Sequence, residues 1–388
     1  MRLTKIRRNE ILTALLAAAV AIVLIADRGV SLNYKALYRL ATFQTQPLSS
    51  KITPRAQLVR NKKSAESLYW RISELKRTQR RKSVAGSRLR AFAVRDSSTM
   101  KLPVPGSNYL GVKFNSFGMR GPELTNADGE NTIIVAYLGS SITLDRGSIP
   151  DSKSWPARTT RALQQLYPDC RFVYQNAGVP GLSSRHLSEY YVSNVLAHFR
   201  PDIVMIMTDD RKKRFTEMAQ QQPVTADSDQ NLQFTRQQLL TYYETDLNQL
   251  LATIKASDGM PVLLGFGQRL RRQQNISDRL GAIGHIRGSE PANVSVEKYL
   301  QSAQWYNEKN LEIAAQQNIT YIDWQDQVPG SARYFTDMRH FDRFGSVLLA
   351  QVLAHELDQS ETLRAALSSR HNCAAQGRSR PANSNIRD

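Results

Sequence analysis

The sequence predicts an α/β fold: a three-layer α/β/α sandwich around a five-stranded, mainly parallel sheet. Three observations predict it. Short apolar, β-branched runs recur at 132–138, 172–175, 203–207, 261–265 and 320–323. Amphipathic stretches at 155–166, 186–199, 237–255, 296–317 and 345–357 alternate with them. The first run stops at Gly139 and passes through Ser140 and Ser141 into Ile142-Thr143, the pattern of a buried parallel strand feeding a tight turn and a helix. Strands and helices interleaved in this way cover a parallel sheet on both faces, and ligands of such sheets sit outside the carboxyl ends of the strands.

Ahead of the sheet the chain has a different character. Residues 1–100 hold 21 Lys and Arg against 5 Asp and Glu, so +16 of the chain's +18 lies there, and the span 101–369 carries −1. Inferences from charge therefore belong to the ends of the chain, not its body. Residues 1–10 read as a basic cytoplasmic flank and the apolar run 11–26 as a transmembrane signal anchor. A cleaved signal peptide is the rival reading, disfavoured because Leu24-Ile25-Ala26 lacks the small residue wanted three positions before a cleavage site. The body is then expected on the extracytoplasmic, periplasmic side of an inner membrane.

Residues 27–100 read as a basic juxtamembrane stalk, with an amphipathic helix at 65–82 and a linker at 83–99. Within it, 51–95 has the composition to contact anionic lipid or glycan. Nucleic acid is not an expected partner, because the arm has few aromatics for base stacking and the topology points away from it. Residues 370–388 form a basic, disordered tail. Cys170 and Cys373 are too few for a disulfide scaffold; one bridge from tail to body and two free thiols both remain open.

Four segments fall where strands end: LGSSIT at 138–143, NAGVPGLSS at 176–184, PDIVMIMTDD at 201–210 and DMRHFDRFG at 337–345. Ser141 opens a helix, where unpaired N–H groups and the helix dipole favour developing negative charge; a plain N-cap role is the alternative. In these segments, and in the NSFGMRGPE stretch at 115–123, the chain from about 115 to 356 resembles the SGNH or GDSL hydrolases. The resemblance implies a flavodoxin-like hydrolase domain over 101–369 with Ser141 as nucleophile, His340 as base and Asp337 as its orienting acid. It further implies an oxyanion site with the Ser141 and Gly181 amides as donors, and no cofactor or metal.

Two positions depart from the family pattern. Ser140 stands where the family has aspartate. Asp209 stands where the family has an asparagine that donates to the oxyanion, and an ionised carboxylate only accepts. Asp210 is expected to cap the following turn, and Arg211, Lys212, Lys213 and Arg214 to form a solvated loop. His186 and His198 read as surface or packing residues, and 269–291, with His285, as an exposed Arg-rich loop. The resulting expectation is a serine esterase or O-acyltransferase acting on an ester, namely O-acetyl groups of an envelope or exported polysaccharide. The alternative, motivated by Asp209 and the basic stalk, is a catalytically weak glycan-binding or scaffold component of an envelope-assembly system.

Overall fold

The computed structural model describes residues 91–94, 100–124, 132–221, 232–289 and 294–371, all within one compact unit, Glu74–Asp388. The expected anchor at 11–26, the amphipathic helix at 65–82 and the tail beyond 371 lie outside the described residues. Among the described residues, no helix is long and apolar enough to cross a membrane.

Five parallel strands form the sheet in the order β6-β5-β7-β8-β9. They are β5 (Thr132–Gly139), β6 (Arg171–Gly178), β7 (Ile203–Met207), β8 (Met260–Leu264) and β9 (Thr320–Ile322). Alternation of side chains along the strands divides the core in two. Ile133, Val135 and Tyr137 of β5 join Ile203, Met205 and Met207 of β7 in one cluster, while Ala136, Leu138, Val204 and Ile206 belong to the other.

Helices α2 (Trp155–Leu166), α9 (Arg343–Gln359) and α10 (Glu361–His371) supply Trp155, Leu163, Leu353 and Leu367 to the first cluster. Helices α3 (Ser184–Tyr190), α6 (Tyr243–Ala256) and α8 (Val296–Gln317) supply Leu187, Leu250 and Tyr306 to the second. The three layers follow directly. The order of the strands reverses at β5, so its carboxyl end is the topological switch point, where doubly wound folds hold their ligands. That end carries α1 (Ser141–Leu144).

Several expectations are corrected. The expected linker at 83–99 contains β1 (Phe92–Val94), which pairs antiparallel with β2 (Lys101–Pro103) and buries Phe92 against Tyr109 and Phe114. A second small ribbon follows, β3 (Asn108–Tyr109) with β4 (Val112–Lys113). The single helix expected at 237–255 is two, α5 (Arg236–Leu240) and α6, broken where Tyr242 takes a left-handed φ of 70°. Residues 211–214 begin α4 (Arg211–Gln221), and much of 269–291 is α7 (Ile276–Ser289), so neither is an exposed loop. Cys170 is held in a disulfide, so the free-thiol reading fails for it; Cys373 lies outside the described residues.

Candidate active site

Each turn of chain around Ser141 is fixed by a contact that the local sequence dictates. A Cβ on Gly139 would run into the Met207 carbonyl oxygen and Thr143 Oγ1, so glycine is required for β5 to turn this close to β7. The helix α1 then starts at Ser141, with Ser140 as an N-cap whose side chain makes no capping bond. Asn176, from the end of β6, donates through Nδ2 to the Thr143 carbonyl at 2.8 Å.

Arg120 closes the other end of α1. Its fully buried guanidinium donates from Nη1 to the Leu144 and Asp145 carbonyls at 2.6 and 2.7 Å, from Nη2 to the Ser148 carbonyl, and pairs through Nε with Asp151 at 2.9 Å. A cation at a helix C-terminus satisfies orphan carbonyls and complements the dipole. The sequence placed Arg120 in the lead-in segment but did not show this role, because its partners lie 24 to 31 residues away.

Asp337 and His340 share the turn that precedes α9. Asp337 Oδ1 accepts the amides of Arg339 and His340, both at 2.9 Å, which winds the turn tightly enough for Asp337 Oδ2 to meet His340 Nδ1 at 2.7 Å. The other ring nitrogen, Nε2, lies 2.8 Å from Ser141 Oγ. Partial burial alone would raise the Asp337 carboxyl, but the charge of His340 and these three hydrogen bonds hold it well below the usual carboxylate range. The ionised carboxylate fixes a proton on Nδ1, which leaves Nε2 free to accept one from the serine. Behind the pair, Ser346 in the first turn of α9 donates to Asp145 Oδ2 at 2.8 Å, and the same oxygen accepts the Trp155 amide. Asp145 thus ties the end of the helix that bears Ser141 to α9, the helix that follows the His340 turn.

The other two predicted positions flank this pair. Gly181 sits exposed at φ 88° in the turn after β6, which starts where the Val179 amide donates to the Gly139 carbonyl at 3.0 Å. Asp209 follows β7. Its Oδ1 accepts the Arg211 amide at 3.1 Å and Nε at 3.3 Å, and its Oδ2 lies 3.2 Å from Arg211 Nη2 and 3.1 Å from Arg339 Nη1. Burial would raise Asp209, but the two guanidiniums and these bonds hold it below its ordinary value. The carboxylate is therefore ionised and neutralised, neither protonated nor unpaired.

Arg211 corrects the expected solvated loop most sharply. It is fully buried between the rings of Phe266 and Tyr299, at 4.4 and 4.7 Å from their centroids, and reaches Gln268 Oε1. Asp210 does not cap its own turn but the start of α3, taking the Ser184 amide at 3.0 Å; burial raises it to about 6. His186 bonds Ser183 Oγ and His198 packs on Phe117. A cavity of about 680 Å³ opens at the carboxyl ends of β8 and β9, lined by Gln268, Arg271, Asn307, Tyr321 and Asp323. Ser141 does not line it. Among the described residues no group of three or more His, Cys, Asp or Glu side chains could hold a metal ion.

The fold and this rim define a doubly wound α/β domain with a serine, a histidine and an aspartate joined by hydrogen bonds at the sheet's carboxyl edge. The chain belongs to the GDSL-like lipase/acylhydrolase family, whose model matches residues 137–369. No curated protein matches it. Solved structures similar to it include an acetylxylan esterase from Geobacillus stearothermophilus, at 19% identity and a TM-score of 0.40 over 59% of this chain and 96% of that one. A GDSL-like lipase from Parabacteroides merdae matches at 17% identity and a TM-score of 0.42, over 58% of this chain and 94% of that one.

Proposed function

We propose that the protein is a serine esterase or O-acyltransferase that works through an acyl-enzyme on Ser141. The observation that carries this reading is the unbroken path from Asp337 Oδ2 through the His340 ring to Ser141 Oγ, with links of 2.7 and 2.8 Å. In the first step Ser141 Oγ attacks the ester carbonyl carbon and gives its proton to His340 Nε2. The carbonyl electrons move to oxygen, and this oxyanion is met by the Ser141 and Gly181 amides. Collapse breaks the ester bond, and the leaving alkoxide takes the proton back from His340. An incoming hydroxyl then repeats the sequence in reverse: water gives hydrolysis, a bound sugar gives transfer.

The substrate class in this reading is an O-acetylated polysaccharide of the cell envelope or an exported one. Family likeness and the apolar run at 11–26 support it, with the run anchoring the domain on the extracytoplasmic face of a membrane and 51–95 contacting anionic lipid or glycan. The disulfide at Cys170 fits an oxidising compartment. The rival scaffold reading keeps the basic stalk as a motive and loses only the argument from an unpaired charge at Asp209, which Arg211 and Arg339 neutralise.

Full-length protein and its Ser141→Ala variant, assayed side by side on p-nitrophenyl acetate, test the chemistry. Hydrolysis by the parent and background rates for the variant are expected; equal rates would contradict the reading. Adding an oligosaccharide acceptor and weighing the products separates transfer from hydrolysis.

A further inference from the structure

We infer that the cavity at the carboxyl ends of β8 and β9 is a subsite for the uncharged sugar units of a glycan whose acyl group is presented to Ser141. The inference deepens the acyl-enzyme reading above and rests on it. Three stretches of chain build the cavity. The loop after β8 supplies Gln268, the loop after β9 supplies Asp323 and Asp326, and α8 supplies Leu300, Gln304 and Leu311. Steps of four and seven residues put the last three on one face of their helix. The enclosed volume, about 680 Å³, is that of a small-molecule site.

Gln268 marks the cavity as a place for a ligand. It is only 2% exposed, yet half of its carboxamide is idle. Arg211 Nη1 donates to its Oε1. A guanidinium has donors alone, so this contact fixes which end of the carboxamide is oxygen and leaves the NH₂ as the other. Among the described residues that Nε2 has no hydrogen-bond partner. A buried donor left unused is unfavourable, and an acceptor arriving in the cavity removes the penalty.

The neighbouring charges say what kind of acceptor arrives. Arg271 and Arg272 share the lining with three carboxylates, Glu308, Asp323 and Asp326. Arg272 pairs with Glu297 at 3.3 Å, and Arg271 Nη2 is turned onto the Gln325 and Val328 carbonyls at 2.9 and 3.0 Å. An anionic ligand would meet a wall with an excess of negative charge. Asp323 Oδ2 and both oxygens of Asp326 accept no hydrogen bond among the described residues, which leaves them for hydroxyl donors. Leu300, the Tyr321 ring and the 58% exposed Leu311 add apolar surface. A neutral pyranose matches both features: its C–H faces are apolar, and its rim of hydroxyls donates and accepts.

The position suits a polymer that is cleaved at Ser141. In a parallel sheet all carboxyl ends share one edge, and β8 and β9 stand two and three places from β5. With strands spaced about 4.8 Å apart, those ends lie about 10 and 14 Å from that of β5, a distance that an oligosaccharide spans. The same loop also touches the catalytic rim. Gln268 holds Arg211, whose Nη2 pairs with Asp209, and the Arg269 amide donates at 2.8 Å to the carbonyl of Met338, which lies between Asp337 and Arg339.

Calorimetric titration of the full-length protein tests this, with the hexasaccharides of glucose, mannose, xylose and N-acetylglucosamine as neutral probes and hexagalacturonate as the anionic comparison. The parent is expected to bind at least one neutral probe saturably, and hexagalacturonate about tenfold more weakly or not at all. Gln268→Glu keeps the oxygen that Arg211 holds and turns the idle donor into an acceptor. Asp323→Ala removes an acceptor from the exposed wall. Each should lower the affinity for the neutral probe by about tenfold.

Absence of binding by all the neutral probes, hexagalacturonate bound as tightly as they are, or unchanged affinity in either folded variant overturns the inference. Should Gln268→Glu melt well below the parent, Asp323→Ala decides alone. Hydrolysis of p-nitrophenyl acetate by Ser141→Ala keeps the two readings apart: an inactive variant leaves the acyl-enzyme reading standing whatever the titrations give, and parental rates remove it.

Discussion

Two clusters of polar side chains stand next to each other on one edge of the sheet and are built in opposite ways. The Ser141, His340, Asp337 group is half-exposed and made of short links between groups that exchange protons. The Asp209, Arg211, Arg339 group is mostly buried and made of charges, with Arg211 stacked on Phe266 and Tyr299 and Arg339 at the edge. In the acyl-enzyme reading this is a division of labour: the first group changes protonation in every turnover and needs access to substrate, while the second keeps its charges fixed. Buried ion pairs of this kind give little net stability, but breaking one leaves an uncompensated charge inside the protein.

Perturbing each side in turn sharpens that contrast. The largest effect is expected for Asp337→Asn, which leaves the turn in place but allows the wrong histidine tautomer. Its kcat should drop by about 10⁴ with the melting temperature nearly unchanged, as steady-state kinetics and a thermal scan would show. Arg211→Met should do the reverse. Removing one partner of a buried pair costs about 3–5 kcal/mol, read as a lower urea midpoint.

Next comes Arg120→Met, which strips the Leu144, Asp145 and Ser148 carbonyls of their donor. It should cost on the order of 3 kcal/mol in urea unfolding and lower activity only as far as α1 loosens.

A pH series separates the carboxylates. Asp210 has a folded value raised to about 6, against about 3.9 in an unfolded chain. The folded state then binds the proton more tightly, so this contribution to stability is complete below about pH 4 and is lost as pH rises through about 6. Asp209, held low, contributes in the opposite sense: its share is present above about pH 4 and fades as pH falls through its folded value. Unfolding free energies from urea titrations at pH 4 and pH 7 should therefore differ by on the order of 2 kcal/mol more in Asp210→Asn than in the parent, in favour of pH 7. An unchanged difference would show that Asp210 titrates normally. The smallest effect is expected for Ser346→Ala, which removes one of the bonds to Asp145 and should cost about 1 kcal/mol.

The sequence made one of the two clusters readable and hid the other, for a physical reason. Asp337 and His340 are three residues apart, and their spacing is the geometry of the turn that joins them. Ser141 is marked by the strand that ends at Gly139. The five sheet strands and four of the five helices expected between and after them also showed through, because burial against a sheet demands a periodic pattern. What did not show depends on distant partners. Arg211 looked like one of four exposed cations because nothing local reveals that Phe266, Gln268 and Tyr299 close over it. Arg120 is paired with residues beyond the next strand, and Asp210 caps a helix that precedes it in the chain. The break at Tyr242 was equally hidden, since a left-handed tyrosine carries no signal in hydrophobic period. The anchor, and the basic arm apart from 91–94 and 100, lie outside the described residues.

The central claim is that Ser141 is an activated nucleophile, and covalent capture tests it most directly. The full-length protein would be treated with a serine-directed fluorophosphonate and digested, and the labelled peptide found by mass spectrometry. One adduct on Ser141, absent from His340→Ala, is the expected result. An intact Ser141, or a label on it that persists without His340, would contradict the account.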